Sequence, residues 1–292
     1  MAIFVDKDTN VLVQGITGRL GALQTKLMLD YGTKIVAGVT PGKGGQTLFD
    51  IPIYDSVQEA INEHRIDASV IYVPASFVQD AAFEAIDAGV AFMVIITDWV
   101  PLHDELKIKA YARRSTSYIG PNTPGIIVPG QTSLGMISGS AVIPGEIAVI
   151  SRSGSLSDEI AAHLSEQGIG QSVVIGLGGD PVVGLRMLDV LRLLKEDEPT
   201  KGVVIVGEIG GTMEEEAAEY IQEQFDKPVI AFIAGRSAPP GKAMGHAGAI
   251  IMGERGTSKS KISAFKAAGV PVARTLQEIP ALASKMLETA RS

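Results

Sequence analysis

Cysteine is absent from the 292 residues of the chain, and this absence excludes several kinds of chemistry. Without a thiol the chain has no disulfide, no zinc site built on Cys ligands and no thiolate nucleophile. The four histidines show no paired spacing of metal ligands, so no metal site is predicted.

Long apolar runs and dense positive charge are also missing. No uncharged apolar run reaches the roughly 18 residues that a membrane-spanning helix needs. The net charge is −8, and Lys and Arg form no dense block, which argues against binding to the phosphate backbone of a nucleic acid. The first residues lack a basic segment followed by an apolar one, so no signal peptide is expected. The expected compartment is the cytoplasm.

Glycine, in contrast, is abundant. The 33 glycines are too many for a helical bundle and are typical of α/β folds, in which strands and helices are joined by tight turns. The length is sufficient for two domains, each with its own core. We predict a first domain at residues 1–122, a linker rich in Pro and Gly at 123–145 and a second domain at 146–292.

The first domain opens with a strand, a glycine loop and a helix, the initial unit of a doubly wound parallel sheet. The strand is Val11–Gln14, the loop is Gly15-Ile-Thr-Gly-Arg-Leu-Gly21, and the helix is predicted at 18–30. The apolar residues that suggest the helix are Leu20, Leu23, Leu27 and Met28. Helix N–H groups at such a loop face a bound anion. The spacing G-x-x-G-x-x-G differs from the G-x-G-x-x-G of dinucleotide sites, so alone it is weak evidence.

The second strand, residues 34–40, gives a clearer indication of the ligand. NAD sites place an Asp or Glu near the end of this strand, where it binds the ribose hydroxyls. Here the strand runs into Thr40-Pro-Gly-Lys-Gly-Gly45, so an NAD-dependent oxidoreductase is disfavoured. Lys43 would suit a phosphate on the ribose, as in the 3′-phosphate of coenzyme A. An ordinary solvated loop lysine remains the alternative. Strands that end at Val73 and Ile96 are expected beside the glycine loop.

The second domain offers a possible phosphate cradle. A buried strand at 145–150 leads into Ser151-Arg-Ser-Gly-Ser-Leu-Ser157 and then into a helix. Hydroxyls and a glycine at a helix N-terminus, with free N–H groups, can bind phosphate. Ordinary capping by serine is the alternative. The segment is not the G-x-S-x-G elbow of a serine hydrolase, because Arg152 stands where that motif needs glycine.

A glutamate and a histidine follow two further buried strands of this domain. Glu208 comes directly after the strand at 201–207, and His246 lies in the Gly- and Pro-rich loop beyond the strand at 228–234. At one edge of a parallel sheet, Glu208 could accept an N–H of the imidazole and make the other nitrogen a better nucleophile. The alternatives are a loop histidine satisfied by backbone and a capping carboxylate. The helix that opens with Glu214-Glu-Glu216 would repel phosphate, so it is not a second anion site.

These motifs occur in order along nearly the whole chain: Gly15-Ile-Thr-Gly18, Gly38-Val-Thr-Pro-Gly-Lys-Gly-Gly45, Gly120-Pro-Asn122, Ser151-Arg-Ser-Gly154, Gly178-Gly-Asp-Pro181, Gly207-Glu-Ile-Gly-Gly211 and Gly245-His-Ala-Gly-Ala-Ile250. Together they resemble the α subunits of succinyl-CoA synthetase (succinate–CoA ligase). The resemblance implies a CoA-binding Rossmann-like domain followed by a flavodoxin-like ligase domain. It also implies a β subunit with an ATP-grasp fold that binds Mg-ATP or Mg-GTP, in an αβ or α2β2 assembly.

The resemblance also implies roles for individual residues. His246 matches the histidine that is phosphorylated, Glu208 the glutamate that holds it, and Ser153 with Gly154 the phosphate-binding helix start. The segments that match the CoA contacts are Thr17, Gly18, Arg19, Leu20, Lys43, Val73, Pro74, Ile96, Thr97 and Asp98. Candidate contacts to the acid substrate are Asn122, Thr123 and Asp158. The implied reaction joins succinate and CoA with hydrolysis of a nucleoside triphosphate to the diphosphate, through a phosphohistidine and an acyl phosphate.

Three residues depart from the family pattern. Asp158 stands where the succinate enzymes usually have a tyrosine linked to substrate binding, Thr123 replaces a frequent cysteine, and Asp98 replaces a glutamate. A carboxylate that faces a dicarboxylate is repulsive unless it is protonated or paired. A CoA ligase for malate or citrate is therefore an open alternative. A non-catalytic CoA-binding protein with this fold is another.

Overall fold

A computed structural model describes residues 3–112, 115–239, 245–251 and 256–291 of the chain. In these residues the chain forms two α/β units, each built on a seven-stranded sheet. Residues 240–244, in the loop that precedes His246, lie outside the described residues. No helix in the described ranges is long and apolar enough to cross a membrane.

The first sheet has the strand order β3-β4-β2-β1-β5-β6-β7. Its strands are β1 (Val11–Gln14), β2 (Ile35–Val39), β3 (Thr47–Leu48), β4 (Ile51–Tyr54), β5 (Ala68–Ile71), β6 (Phe92–Ile95) and β7 (Ser117–Ile119). Its helices are α1 (Arg19–Tyr31), α2 (Val57–Glu63), α3 (Val78–Asp87) and α4 (Leu102–Ala112). All pairs from β4 to β7 are parallel, and β3 joins the edge antiparallel. Without β3, this is the 3-2-1-4-5-6 order of a Rossmann fold, whose strand order reverses between β1 and β5.

The second sheet has the order β14-β13-β12-β10-β11-β8-β9. Its strands are β8 (Gly125–Val128), β9 (Thr132–Gly135), β10 (Pro144–Ser151), β11 (Gln171–Gly176), β12 (Gly202–Gly207), β13 (Val229–Ile233) and β14 (Val272–Ala273). Its helices are α5 (Gly154–Glu166), α6 (Met187–Glu196), α7 (Met213–Gln224), α8 (Ser258–Ala267) and α9 (Glu278–Arg291). The parallel strands β11-β10-β12-β13-β14 have the flavodoxin-like order 2-1-3-4-5, which reverses between β10 and β12. The predicted pair of folds is thus confirmed.

The segment 123–145 is more than a linker. Within it, β8 and β9 form an antiparallel hairpin, and β8 pairs with β11 at the edge of the second sheet. The prediction of a linker over this range was wrong in that respect, because Pro and Gly here mark the turns of a hairpin rather than an unstructured connection. The outer limits of the two domains remain a prediction.

Helix α1 forms at the predicted place, but most of the apolar residues that indicated it stay exposed. Leu20, Leu23 and Leu27 are 44%, 56% and 52% exposed, whereas Met28 is buried. The other buried positions of α1 are Gly21 and Thr25. The apolar spacing thus located the helix, and its inner face consists of Gly21, Thr25 and Met28 rather than of the leucines.

Two glycines explain the G-x-x-G-x-x-G spacing of the first loop. Gly15 has φ of 80°, a left-handed conformation that favours glycine, and its backbone approaches that of Tyr72. A Cβ on Gly21 would collide with the carbonyl oxygen of Gly15. The spacing therefore allows α1 to begin directly against the loop, with its N-terminus at the carboxyl edge of β1.

Direct hydrogen bonds join the two units. Thr33 Oγ1 donates to Ser133 O at 2.8 Å, and Ser133 N donates back to Thr33 Oγ1 at 3.0 Å. Tyr72 Oη donates to Gly135 O at 3.1 Å. The hairpin β8-β9 thus packs against the first unit as well as extending the second sheet.

Candidate active site

His246 and Glu208 form a close pair at the carboxyl edge of the second sheet. His246 Nδ1 lies 2.8 Å from Glu208 Oε2, and the two side chains are 22% and 9% exposed. An ionised carboxylate only accepts hydrogen bonds, so Nδ1–H is the donor. In the neutral imidazole this arrangement leaves Nε2 without a proton, with its lone pair available to an electrophile.

The sheet topology explains why these two residues meet. Glu208 directly follows β12, whose neighbour β10 lies on the other side of the point where the strand order reverses. The loop that carries His246 follows β13, on the opposite side of β12. A Cβ on Gly179 would collide with the imidazole, so this glycine lets His246 lie against the turn that follows β11.

The surroundings of His246 act on its pKa in opposite directions. The hydrogen bond to Glu208 raises the pKa of His246 above its ordinary value, and burial opposes this effect. The charge of Glu208 raises the pKa further, Arg152 lowers it and Asp180 raises it. The net direction is upward, so the neutral, nucleophilic form of His246 becomes dominant only at a higher pH than it does for an ordinary histidine.

Behind Glu208 lies a buried charge network, which we define as Arg152, Glu208, Glu214 and Lys261. Arg152 Nη2 is 3.1 Å from Glu208 Oε1, and Arg152 Nη1 is 3.4 Å from Glu214 Oε1. Lys261 Nζ pairs with Glu214 Oε2. The side chains of Arg152, Glu214 and Lys261 are 2%, 0% and 0% exposed. The network is therefore a row of alternating charges that runs from Lys261 on α8 through Glu214 and Arg152 to Glu208, which contacts His246.

Backbone contacts tie the same network to the turn after β12. Arg152 Nη1 and Lys261 Nζ each donate to Gly210 O at 3.0 Å. Glu208 N donates to Glu214 Oε1 at 3.1 Å. Burial alone would raise the pKa of Glu214, but the charges of Arg152 and Lys261 outweigh it and lower the pKa. Glu214 is therefore an ionised, fully paired group in the interior.

The N-terminus of α5 adjoins this network. Ser153 is the N-cap residue, and its Oγ accepts from Leu156 N at 3.5 Å, while Gly154 opens the helix. Arg152, one residue earlier, carries the guanidinium that contacts Glu208. Arg152 thus links the predicted phosphate-binding start of α5 to the His246–Glu208 pair.

A crevice in the first unit lies where the strand order reverses between β1 and β5. Its volume is about 730 Å³. It includes four of the residues predicted to bind CoA, namely Thr17, Gly18, Val73 and Pro74. Among the described residues no side chain caps the α1 N-terminus, and its first turn holds no acidic residue. Open α/β sheets bind ligands at this kind of position, and a free helix N-terminus favours a phosphate.

The other predicted CoA residues lie outside the lining of this crevice. Arg19, Leu20, Lys43 and Asp98 are exposed, and Ile96 is buried. Thr97 lies between the crevice and the second unit: its Oγ1 donates to Val73 O at 2.7 Å, and its carbonyl accepts from Asn122 N at 2.9 Å.

Asn122 connects the crevice of the first unit to the His246 site of the second unit. Its Nδ2 donates to Asp180 Oδ1 at 3.1 Å, and its carbonyl accepts from Gly179 N at 3.1 Å. Gly179 O in turn accepts from Gly248 N at 3.0 Å, in the loop of His246. A series of hydrogen bonds therefore runs from Val73, which lines the crevice, to Gly248 in the loop that carries His246.

Thr123 and Asp158, the other two predicted contacts to the acid substrate, are bonded less closely to the His246 site than Asn122 is. Thr123 is 2% exposed, and its Oγ1 donates to Gly176 O at 2.7 Å and accepts from Gly125 N at 3.0 Å. Asp158 lies one turn into α5; burial raises its pKa, and the backbone of Ser138 opposes this effect. Asp158 Oδ1 has no hydrogen-bond partner in the described part of the chain. The hydrogen bonds and ion pairs that His246 and Glu208 make in the described residues involve neither of these side chains.

Sequence reasoning missed the members of the network beyond Glu208. The sequence suggests Glu214 only as one of three first-turn carboxylates that would repel phosphate, whereas in the structure it shares the inner face of α7 with Ala217, Ala218 and Ile221. Lys261 shares the inner face of α8 with Phe265, four residues later. A charged residue in phase with an apolar helix face is the signal that could have indicated a buried ion pair.

Comparison with known proteins agrees with this geometry. Residues 6–99 match the family described as CoA binding domain, and residues 150–271 match the family described as CoA-ligase. The α subunit 1 of the ADP-forming succinate–CoA ligase of Archaeoglobus fulgidus is 53% identical over 289 residues, which cover 99% of each chain. The chain belongs to the family of succinate–CoA ligase α subunits.

Other members of the family and one solved structure extend the comparison. The ADP-forming succinate–CoA ligase α subunit of Staphylococcus aureus is 50% identical over 292 residues, which cover 100% of this chain and 96% of that one. The structure of ATP citrate lyase from Methanothrix soehngenii in complex with citrate and coenzyme A superimposes with a TM-score of 0.89 at 24% identity. That match covers 98% of this chain and 51% of the other, so this family member spans about half of the lyase chain. At such low identity the similarity concerns the fold.

Proposed function

We propose that the chain is the catalytic α subunit of an ADP-forming succinate–CoA ligase. A phosphoryl group is carried on His246, and a β subunit with an ATP-grasp fold binds the nucleotide with Mg²⁺. The single observation that carries the proposal is the 2.8 Å contact between His246 Nδ1 and Glu208 Oε2 at the carboxyl edge of the ligase-type sheet. The names and coverage of the relatives support succinate as the acid.

The histidine geometry supports a definite order of bond changes. With Nδ1–H donated to Glu208, the Nε2 lone pair attacks the γ-phosphorus of the nucleotide, and the diphosphate leaves as the β–γ phosphoanhydride bond breaks. A carboxylate oxygen of succinate then attacks this phosphorus and the P–N bond breaks. The CoA thiolate attacks the acyl carbon of the resulting acyl phosphate, and inorganic phosphate leaves as succinyl-CoA forms.

Glu208 is proposed to stabilise the phosphorylated form of His246. The imidazole becomes positively charged when Nε2 is phosphorylated, because Nδ1 keeps its proton. The carboxylate 2.8 Å away stabilises that charge. The N–H groups at the start of α5, with Ser153 and Gly154, are proposed to hold the phosphoryl oxygens.

CoA is proposed to bind at the reversal point of the first sheet. Thr17, Gly18, Val73 and Pro74 border the crevice, and Lys43 is exposed in the glycine turn after β2. Arg19, Leu20, Ile96, Thr97 and Asp98 are proposed as further contacts. Asn122, Thr123 and Asp158 are proposed to affect the acid, with Asn122 the best placed because it bonds to both Asp180 and Gly179.

Phosphoryl labelling tests the proposal. The full-length chain would be mixed with its candidate β partner, Mg²⁺ and γ-labelled ATP, and acid-labile label on this chain would be measured. We expect about one label per chain in the wild type and none in His246→Asn. His163→Asn, which changes a histidine on α5, is the matched control and should label like the wild type.

The same experiment has a clear negative result. If the wild type takes up no label with a partner that is active with another α subunit, the phosphohistidine is absent. Equal label in His246→Asn would place it on another residue. The first result would leave a CoA-binding protein without this turnover as the better description, and the second would overturn His246 as the phosphorylated residue.

A further inference from the structure

Arg152 lies at the centre of the buried charge network, between the two residues that the proposed reaction uses and the interior of the ligase-type unit. It directly follows β10, the strand beside β12 at the reversal point, and its side chain is 2% exposed. Its guanidinium approaches Glu208 Oε1 to 3.1 Å. A buried arginine at such a place must be paired, because an isolated buried charge is very costly.

The contacts of Arg152 reach both sides of the His246–Glu208 pair. On one side, Nη1 donates to Gly210 O at 3.0 Å, two residues after Glu208. On the other, a Cβ built on Gly248 would lie 3.2 Å from Nη2, so the guanidinium packs against the loop two residues after His246. One planar cation therefore contacts both backbone segments that carry the pair.

Glu214 and Lys261 hold Arg152 in turn. Glu214 Oε1 lies 3.4 Å from Nη1 and also accepts from Glu208 N at 3.1 Å, and Lys261 pairs with the other oxygen of Glu214. Lys261 Nζ lies 3.4 Å from Glu215 Oε2 as well. The guanidinium is thus held from the interior by Glu214 and Gly210 O, and its contact with Glu208 Oε1 is an ion pair by distance rather than an aligned hydrogen bond.

We propose that Arg152 is a positioning residue of the phosphohistidine site: it orients the Glu208 carboxylate so that Oε2 accepts Nδ1–H of His246 and Nε2 remains the nucleophile. Arg152 Nη2 contacts Oε1 and His246 contacts Oε2, so the two partners use different oxygens of one carboxylate. Without the arginine, Glu208 can rotate and the neutral imidazole can place its proton on either nitrogen. Glu214 and Lys261 act through Arg152.

The kinetic consequence rests on the proposed function, whereas the tautomer of His246 does not. Both are therefore measured. The first readout is the nitrogen-15 spectrum of the imidazole in the full-length chain, which distinguishes the Nδ1–H from the Nε2–H tautomer. The second is the rate of phosphoryl labelling with the β partner and Mg-ATP, together with the KM for ATP.

The variants are chosen so that the buried charge stays balanced. Arg152→Met alone leaves two carboxylates poorly paired and could fail to fold, so Arg152→Met is combined with Glu214→Gln, which removes one positive and one negative charge. Arg152→Lys keeps the charge without the fork. Arg186→Met is the matched control, because Arg186 makes an ion pair with Glu216 at 2.7 Å in a half-exposed position.

The expected results separate positioning from simple stability. The double variant should lose the exclusive Nδ1–H tautomer and label about 10- to 100-fold more slowly, by analogy with the loss of an orienting partner of a metal-bound histidine, with the KM for ATP nearly unchanged. Arg152→Lys should recover part of the rate, and Arg186→Met should match the wild type.

Two results would overturn the inference. One is a folded double variant that keeps the Nδ1–H tautomer and labels within twofold of the wild type. The other is a slow variant whose tautomer is unchanged, since the defect would then lie elsewhere. If the wild type itself takes up no label, the proposed function fails, and the tautomer measurement still decides the role of Arg152.

Discussion

Glu208 contacts a cation on each of its two carboxylate oxygens when His246 is protonated. Oε2 faces Nδ1 of His246 at 2.8 Å and Oε1 faces Nη2 of Arg152 at 3.1 Å. Oε1 has no aligned hydrogen bond among the described residues, so its contact with the guanidinium is an ion pair by distance. At the residue scale the site therefore depends on where one carboxylate points.

Glu208→Gln tests this dependence through pH. The amide cannot carry the charge that raises the pKa of His246, so the pKa should fall and the neutral form should exist at lower pH. The midpoint of the pH–rate profile for labelling should move to lower pH, while the maximal rate drops about 10- to 100-fold because the phosphorylated imidazolium loses its partner. Rates measured from about pH 5.5 to pH 9 give both quantities.

A profile whose midpoint does not move, or moves upward, would contradict the assignment of Glu208 as the group that raises the pKa. Glu219→Gln offers a control, because Glu219 is an exposed carboxylate on α7. That variant should keep both the midpoint and the maximal rate.

Helices α7 and α8 contribute charges to the interior as well as apolar side chains. Glu214 lies in the first turn of α7, where a carboxylate is favoured by the helix dipole, and Lys261 lies one turn before the buried Phe265 in α8. The ion pair between them ties the two helices together beneath the active site. Its removal should therefore affect the stability of the unit.

Lys261→Met measures this contribution. Removal of one partner of a buried pair leaves the other charge poorly compensated, which typically costs about 3–5 kcal/mol, partly relieved here because Glu214 keeps Arg152. We expect a loss of about 2–4 kcal/mol in the free energy of unfolding by denaturant titration. The matched variant Lys259→Met changes an exposed lysine of the same helix and should stay within about 0.5 kcal/mol. Equal effects of the two variants would contradict a structural role for Lys261.

Much at this scale could be predicted from sequence, and the failures have physical causes. Continuous apolar runs followed by turn residues located β1, β2, β5, β6, β10, β12 and β13, because parallel strands are buried on both faces. The leucines that located α1 did not indicate its inner face, because Gly21, Thr25 and Met28 are the buried positions while the leucines stay exposed. The hairpin β8-β9 was missed because Pro and Gly mark its turns as well as they mark linkers.

The histidine and glutamate could be predicted because each follows a strand, and strand ends of a parallel sheet converge at one edge. The role of Arg152 could not be predicted in the same way, because it depends on contacts between side chains that are distant in the sequence. The distance in sequence between Arg152, Glu214 and Lys261 hides the network. Periodicity marks these positions as inward-facing without showing which charges meet.

At the scale of the whole molecule, a buried pair of carboxyls connects the two units. Glu105 on α4 of the first unit is 1% exposed and accepts from Val182 N at 3.1 Å, beside Asp180 of the second unit. Burial and then the proximity of Asp180 raise the pKa of Glu105 to about 8. Burial also raises the pKa of Asp180. One proton shared by the pair removes the repulsion between them.

Stability should therefore depend on pH through Glu105. The folded chain holds a proton that the unfolded chain loses above its ordinary value of 4.5, so this contribution is complete below 4.5 and is lost as the pH rises through about 8. Glu105→Gln keeps a neutral group at this position, so the decline in unfolding free energy between about pH 5 and pH 8 should be smaller than in the wild type. Denaturant titrations across this range would measure it.

Asp104→Asn is the control, because its carboxyl belongs to the same helix and pairs with Lys107 at 3.1 Å in a more exposed place. This variant should follow the pH dependence of the wild type. If Glu105→Gln declines with pH as steeply as the wild type, the shared proton lies elsewhere.

The hydrogen bonds from Thr97 through Asn122 and Gly179 to Gly248 join the two ligand edges into one frame. This continuity fits a reaction in which the acyl phosphate must meet the CoA thiol without being released. The most direct test of this reaction sequence is therefore a single turnover of the phosphorylated complex. Complex labelled on His246 would be isolated free of nucleotide and mixed with CoA and one acid at a time, with release of phosphate and formation of acyl-CoA followed together.

We expect succinate with CoA to release the label within one turnover and to form an equal amount of succinyl-CoA, whereas malate or citrate with CoA should leave the label in place. Retention of the label with succinate and its release with malate or citrate would contradict succinate as the acid. Retention with all acids would contradict the phosphohistidine as an intermediate of acyl transfer.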